Sequence, residues 1–186
     1  HTIKLLAICE RTNQGVSARV HPSLVPNDHP LANVNGAYNA VFVEAENAGS
    51  LMFYGQGAGG APTSSAIMGD LVTAARNRLL AARGPCESAY ADLPILAQAD
   101  TVTRYQIRLS VTDRSGVLHR ITEVFSTHDV SIETMIQAPR EDRAGSAYLI
   151  LTTHAGRERA LAATVAALEA LEVVQEVTSV LRVEGF

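Results

Sequence analysis

From Tyr105 to Thr112 the chain alternates: Tyr105, Ile107, Leu109 and Val111 fall on one side, Gln106, Arg108, Ser110 and Thr112 on the other. That period of two predicts a half-buried strand. At Asp113 the period changes. Val117, Leu118, Ile121, Val124 and Phe125 share one helical face, which predicts a helix. Between them, Asp113-Arg114-Ser115-Gly116 supplies two side chains suited to accept from the free N–H groups of a helix start, and a glycine for the turn or for close approach of a ligand. After His128-Asp129 the period returns to two, with Val130, Ile132, Thr134 and Ile136 on one predicted face. A strand over 145–153, a helix over 157–171 with Leu161, Val165, Leu168 and Leu171 as its stripe, and a strand over 173–183 complete the order β-α-β-β-α-β. That order is the ferredoxin-like arrangement.

The first half has weaker periodicity. Strands are predicted over 2–9 and 16–21, followed by a proline-interrupted loop from His21 to Gly36, because Pro22, Pro26 and Pro30 leave no room for a helix between them. Two further strands, 40–46 and 50–54, flank the turn residues Glu46-Asn47-Ala48-Gly49 and predict a hairpin. A helix is expected from about Thr63 to Arg83, ended by Gly84-Pro85, with a linker over 86–102.

Gly55, Gly57 and Gly60 satisfy G-x-G-x-x-G between a strand and a helix. No second parallel strand with an acidic residue follows, as a complete dinucleotide fingerprint requires. Two readings remain: a tight chain reversal, or a loop whose neighbouring helix N–H groups near Thr63, Ser64 and Ser65 face an anionic or polar ligand. A self-contained nucleotide-binding protein is one function compatible with the second.

Composition narrows the class. The 186 residues are 47% hydrophobic and 18% charged, with net charge −4; this is a globular balance, and it speaks against a nucleic-acid partner. No apolar run is long enough for a membrane span. Cys9 and Cys86 have no zinc-type spacing, so no metal is expected and a reducing cytoplasm is the simplest setting. His21 and His29 each precede a proline and read as structural or surface residues.

The run Asp113-Arg114-Ser115-Gly116-Val117-Leu118, then a helix, then Asp129-Val130-Ser131-Ile132-Glu133, resembles an ACT domain, a small amino-acid-sensing module of metabolic enzymes. The segments IKLLAICER, VHPSLVP, HPLANVNGAYNAVFVEAE and YGQGAGGAPTSSAIMGDLVTAARN are similar to the end of the catalytic region of homoserine dehydrogenases. The resemblance covers essentially the whole chain and implies an α+β architecture. A partial mixed-sheet catalytic and dimerisation region would occupy 1–85, a linker 86–102, and a ferredoxin-like ACT domain 103–186.

It further implies NAD- or NADP-dependent interconversion of homoserine and aspartate 4-semialdehyde, in threonine and methionine biosynthesis, within a homo-oligomer, dimer or larger. Gly57, Ala58 and Gly59 would lie against the cofactor. Asp113, Ser115, Gly116, Val117, Leu118, Ile132 and Gln137 would bind an amino-acid effector, with threonine the one implied. The family's proton-transfer lysine belongs to a D-x-x-G-x-D-x-x-x-K type motif that is not found here. The single lysine, Lys4, sits inside an apolar strand pattern. No catalytic residue is therefore assigned, and the chain alone is expected to be inactive, its nucleotide domain and lysine lying upstream. The competing reading is an ACT-containing amino-acid-binding regulator without an enzymatic parent.

Overall fold

The computed structural model describes residues 1–82, 92–140 and 145–184. Contacts divide the chain into two compact units, residues 1–26 with 93–186, and residues 27–92.

The first unit is built on a six-stranded sheet. Its elements are β1 (Thr2–Thr12), β2 (Gly15–Val25), β6 (Tyr105–Thr112), β7 (Ile132–Pro139), β8 (Ser146–Thr153) and β10 (Val174–Val183), with helices α2 (Val117–Thr127) and α3 (Glu158–Glu169). The strand order is β1-β2-β10-β6-β8-β7. Its last four members, with α2 and α3, form the anticipated βαββαβ array. The β2–β10 pairing is parallel and the others antiparallel, so the sheet is mixed. The alternating side chains Ile107, Leu109 and Val111 meet Ala147, Leu149 and Leu151 of the neighbouring strand. The stripes Val117, Ile121, Phe125 and Leu161, Leu168 cover them. Burying each of the larger side chains contributes about 1.5–3 kcal/mol. A two-residue ladder, β5 (Val102–Thr103) against β9 (Gly156–Arg157), closes one end.

Several expectations are corrected. The second strand does not stop at His21 but continues through Pro22 to Val25. Proline is tolerated because of where its missing N–H would point. Val16 N–H donates to Pro94 O, and Leu24 O accepts from Glu184 N–H; both residues direct their backbone groups away from β1. Pro22, spaced by even steps from each, faces the same way, before the short β10 pairing begins at Ser23. The predicted common face of Val130, Ile132, Thr134 and Ile136 is broken by a register shift between Ile132 and Thr134. This bulge leaves Val130 buried and Ile136 59% exposed. Nor does a side chain cap α2: its N-cap is Gly116, in the left-handed region at φ 88°. The first hairpin packs by contact with the unit of residues 93–186, because β2 pairs with β10.

The second unit holds the hairpin β3 (Tyr38–Ala45) and β4 (Gly49–Gln56), a 3-10 turn over Pro30–Asn33, and helix α1 (Gly60–Leu79). The loop expected here thus contains one helical turn. Its N-cap His29 accepts from Leu31 N–H through Nδ1 and meets Phe42 edge-on at 4.9 Å. Pro30 sits at the start of this turn, where an N–H is dispensable. Helix α1 begins earlier and ends earlier than predicted, and the Gly84-Pro85 stop lies outside the described residues, as does Cys86. Among the described residues of this unit only Ala32 is buried. Phe53 is 65% exposed and Ile67 62%.

Candidate functional site

The turn between β6 and α2 forms one wall of a cleft of about 280 Å³. Asp113, Ser115, Gly116, Val117 and Leu118 line it together with Arg114, and Gln137 of β7 closes it from the side. The turn is placed by two backbone bonds: Asp113 N–H to Gly145 O at 2.9 Å and Thr112 N–H to Val173 O at 3.1 Å. Gln137 Nε2 donates to Asp113 Oδ1 at 3.4 Å, a long bond that orients the carboxylate toward the edge strand. The chain turns at Gly116, where a Cβ would meet nothing within 4 Å. The glycine is required by its positive φ and not by crowding. At the start of α2 Val117 N–H donates to Arg114 O at 3.5 Å, while the next N–H groups of the first turn have no partner four residues back, and no side chain caps α2. The cleft therefore presents backbone donors, a carboxylate, a guanidinium and a side-chain amide, a set matched to a zwitterionic amino acid.

Six of the seven effector residues anticipated from sequence line this cleft. Ile132 does not. It pairs with Thr153 at the opposite end of β7 and packs against the core. Arg114 was not anticipated, since an arginine in a turn carries no periodic signal.

In the other unit, Gly57, Ala58 and Gly59 lead into α1. Gly57 N–H donates to Ala37 O at 3.0 Å. A Cβ on Gly57 would run into the side chain of Asn39, so its smallness serves local packing. Gly59 is the N-cap of α1 at φ 134°, without a side-chain cap bond. Ala58 is exposed. An uncapped start of a long helix behind a glycine turn suits a polar or anionic group of a dinucleotide. Lys4 lies in β1 opposite Ser23. Among the described residues no helix is long and apolar enough to cross a membrane.

Residues 1–72 match the family model for homoserine dehydrogenase and residues 105–173 that for the ACT domain. The homoserine dehydrogenase of Mycobacterium tuberculosis is 55% identical over 99% of this chain and 44% of its own length. That of Corynebacterium glutamicum is 52% identical over 99% of the chain and 42% of its length. The crystal structure of a homoserine dehydrogenase from Thiobacillus denitrificans matches with TM-score 0.86 at 36% identity, covering 98% of this chain and 42% of that one. The chain thus spans less than half the length of the curated relatives it matches. With both models matched in this order, the chain belongs with the homoserine dehydrogenases, as a C-terminal region in which a homoserine dehydrogenase segment is followed by an ACT domain.

Proposed function

We propose that the chain is the scaffold and amino-acid-sensing region of an NAD- or NADP-dependent homoserine dehydrogenase, interconverting homoserine and aspartate 4-semialdehyde. The observation that carries this reading is the donor-rich cleft at the start of α2, on a chain whose first 72 residues match the dehydrogenase model. The nicotinamide cofactor supplies the hydride acceptor. The loop Gly57-Ala58-Gly59 and the uncapped start of α1 hold a polar part of it. No residue here takes the hydroxyl proton, a step that alcohol oxidation requires; Lys4 belongs to a strand ladder. The purified 186-residue chain is therefore expected to show no homoserine-dependent reduction of NAD or NADP. Turnover above a blank would move the proton-transfer group into this sequence.

The effector is threonine. Its carboxylate meets the free N–H groups of α2, and its ammonium meets Asp113, held by Gln137. Calorimetric titration of threonine, isoleucine, methionine and lysine tests the site. Threonine should bind, and Gln137→Ala should weaken it about tenfold, the equivalent of about 1.4 kcal/mol. Failure of all four amino acids to bind overturns the sensing assignment, and equal binding by wild type and variant moves the site elsewhere.

A further inference from the structure

Strand β2 is inverted. Its inward side chains are Ser17, Arg19, His21 and Ser23, all buried, while Val20 on the opposite face is exposed. The polar face lies where β2 meets β10 in just two registered pairs, Arg182 with Ser23 and Val183 with Leu24. One further bond, Glu184 N–H to Leu24 O at 3.0 Å, extends this seam. Here the dehydrogenase-matching hairpin joins the sheet of the ACT array.

Two buried groups face each other across the seam without bonding. His21 Nε2 and Glu184 Oε1 are 3.9 Å apart, and neither has a hydrogen-bond partner among the described residues. His21 is 6% exposed and the Glu184 side chain 13%. His21 is held from its other nitrogen, Nδ1, by Ser23 Oγ at 2.9 Å. An unpaired buried polar group is costly, so two of them at near-bonding distance form an arrangement that one proton and a small shift would satisfy.

We propose that His21 and Glu184 form a proton-operated latch on this seam: one proton, taken from solvent and shared by the pair, joins Nε2 to Oε1 and tightens the hairpin against β10. Its loss leaves the two groups apart.

The charges around the pair favour one proton. From β1 comes Glu10, from β2 Arg19, from β10 Arg182 and from α3 Glu158; Tyr105 of β6 donates to Glu158 as a neutral phenol. Arg19 bonds Glu10 at 2.6 Å and lies 3.6 Å from Glu184. Arg182 pairs with Glu158. These two cations and two carboxylates cancel, leaving the His21–Glu184 pair neutral overall only when it holds one proton. Without it the cluster carries an excess negative charge, and with two an excess positive one. Both individual tendencies agree. Burial, and then Arg182 and Arg19, hold His21 below its usual range, while burial pushes Glu184 up. The latch requires the two groups to titrate as a pair. The latch needs neither cofactor nor effector, so its test is independent of the function proposed above.

The experiment is histidine-ring NMR on the 186-residue chain across pH 4.5–8.5, with the Glu184 side-chain carboxyl and the Glu184 amide followed in the same samples. The His21 ring and the Glu184 carboxyl should report one common midpoint, and protection of the Glu184 amide from exchange should change at that midpoint. Glu184→Gln, nearly isosteric, should reduce the proton affinity of His21 at least tenfold, about one pH unit. Separate midpoints in the wild type, unchanged amide protection, or an unaltered His21 titration in the variant would each overturn the proposal. The wild-type measurements decide it even if the variant does not fold.

Discussion

At the scale of single residues, buried polar side chains in this chain work in linked sets. The Tyr105 hydroxyl donates to Glu158 Oε1 at 2.8 Å, and Arg182 grips the same carboxylate from β10. Burial, then the hydrogen bond to Glu158, pushes the Tyr105 phenol up to about 12. Since the folded value lies above the unfolded one of about 10, this phenol contributes stability that is intact below pH 10 and lost as pH rises through 12. Absorbance titration should find one of the five tyrosines ionising late, together with the loss of folded structure. Tyr105→Phe should remove that late step. It should also lower stability in urea by about 1.5–3 kcal/mol, the range for a bond to a charged partner.

Among elements, α2 shows how a turn can be specified by backbone conformation alone. Gly116 adopts φ 88° in open space, so a substitution there acts through backbone strain without a clash. Gly116→Ala should cost about 1–2 kcal/mol in equilibrium unfolding, and Gly116→Asn should cost less, since asparagine tolerates this region. Equal stability of all three proteins would refute the backbone argument. The packed face of the same helix is less forgiving. Phe125 is almost fully buried in the core, and Phe125→Ala should cost about 3–5 kcal/mol.

The whole molecule is uneven. The unit of residues 1–26 and 93–186 has a dense core under two helices. The unit of residues 27–92 buries a single apolar residue among those described, Ala32, and exposes Val41, Phe53, Ile67 and Leu71. A unit with so little buried apolar surface cannot offset its chain entropy. An excised 27–92 segment should show no cooperative thermal transition. The full chain should sediment as a dimer or larger at micromolar concentration, covering part of that apolar surface. A monomer there, or a cooperative transition in the excised segment, would contradict this account.

What the sequence determined by itself was local and periodic. The alternation of 105–112, the stripe from Val117 to Phe125 and the helix predicted over 157–171 name a βαββαβ array, because burial on one face leaves a repeat that can be read without neighbours. The turn Asp113–Leu118 was legible for the same reason, lying where one period gives way to another. The tertiary structure alone decided which face of β2 points inward. The polar side chains Ser17, Arg19, His21 and Ser23 are buried because Glu10, Glu184 and one another satisfy part of their polarity. It also decided that Pro22 lies within a strand, since that depends on which neighbour each backbone group faces. It excluded Ile132 from the cleft, because that residue lies at the far end of β7 from Gln137, and it turned Ile136 outward, because a single bulge reverses every side chain after it and leaves no mark in the alternation that precedes it.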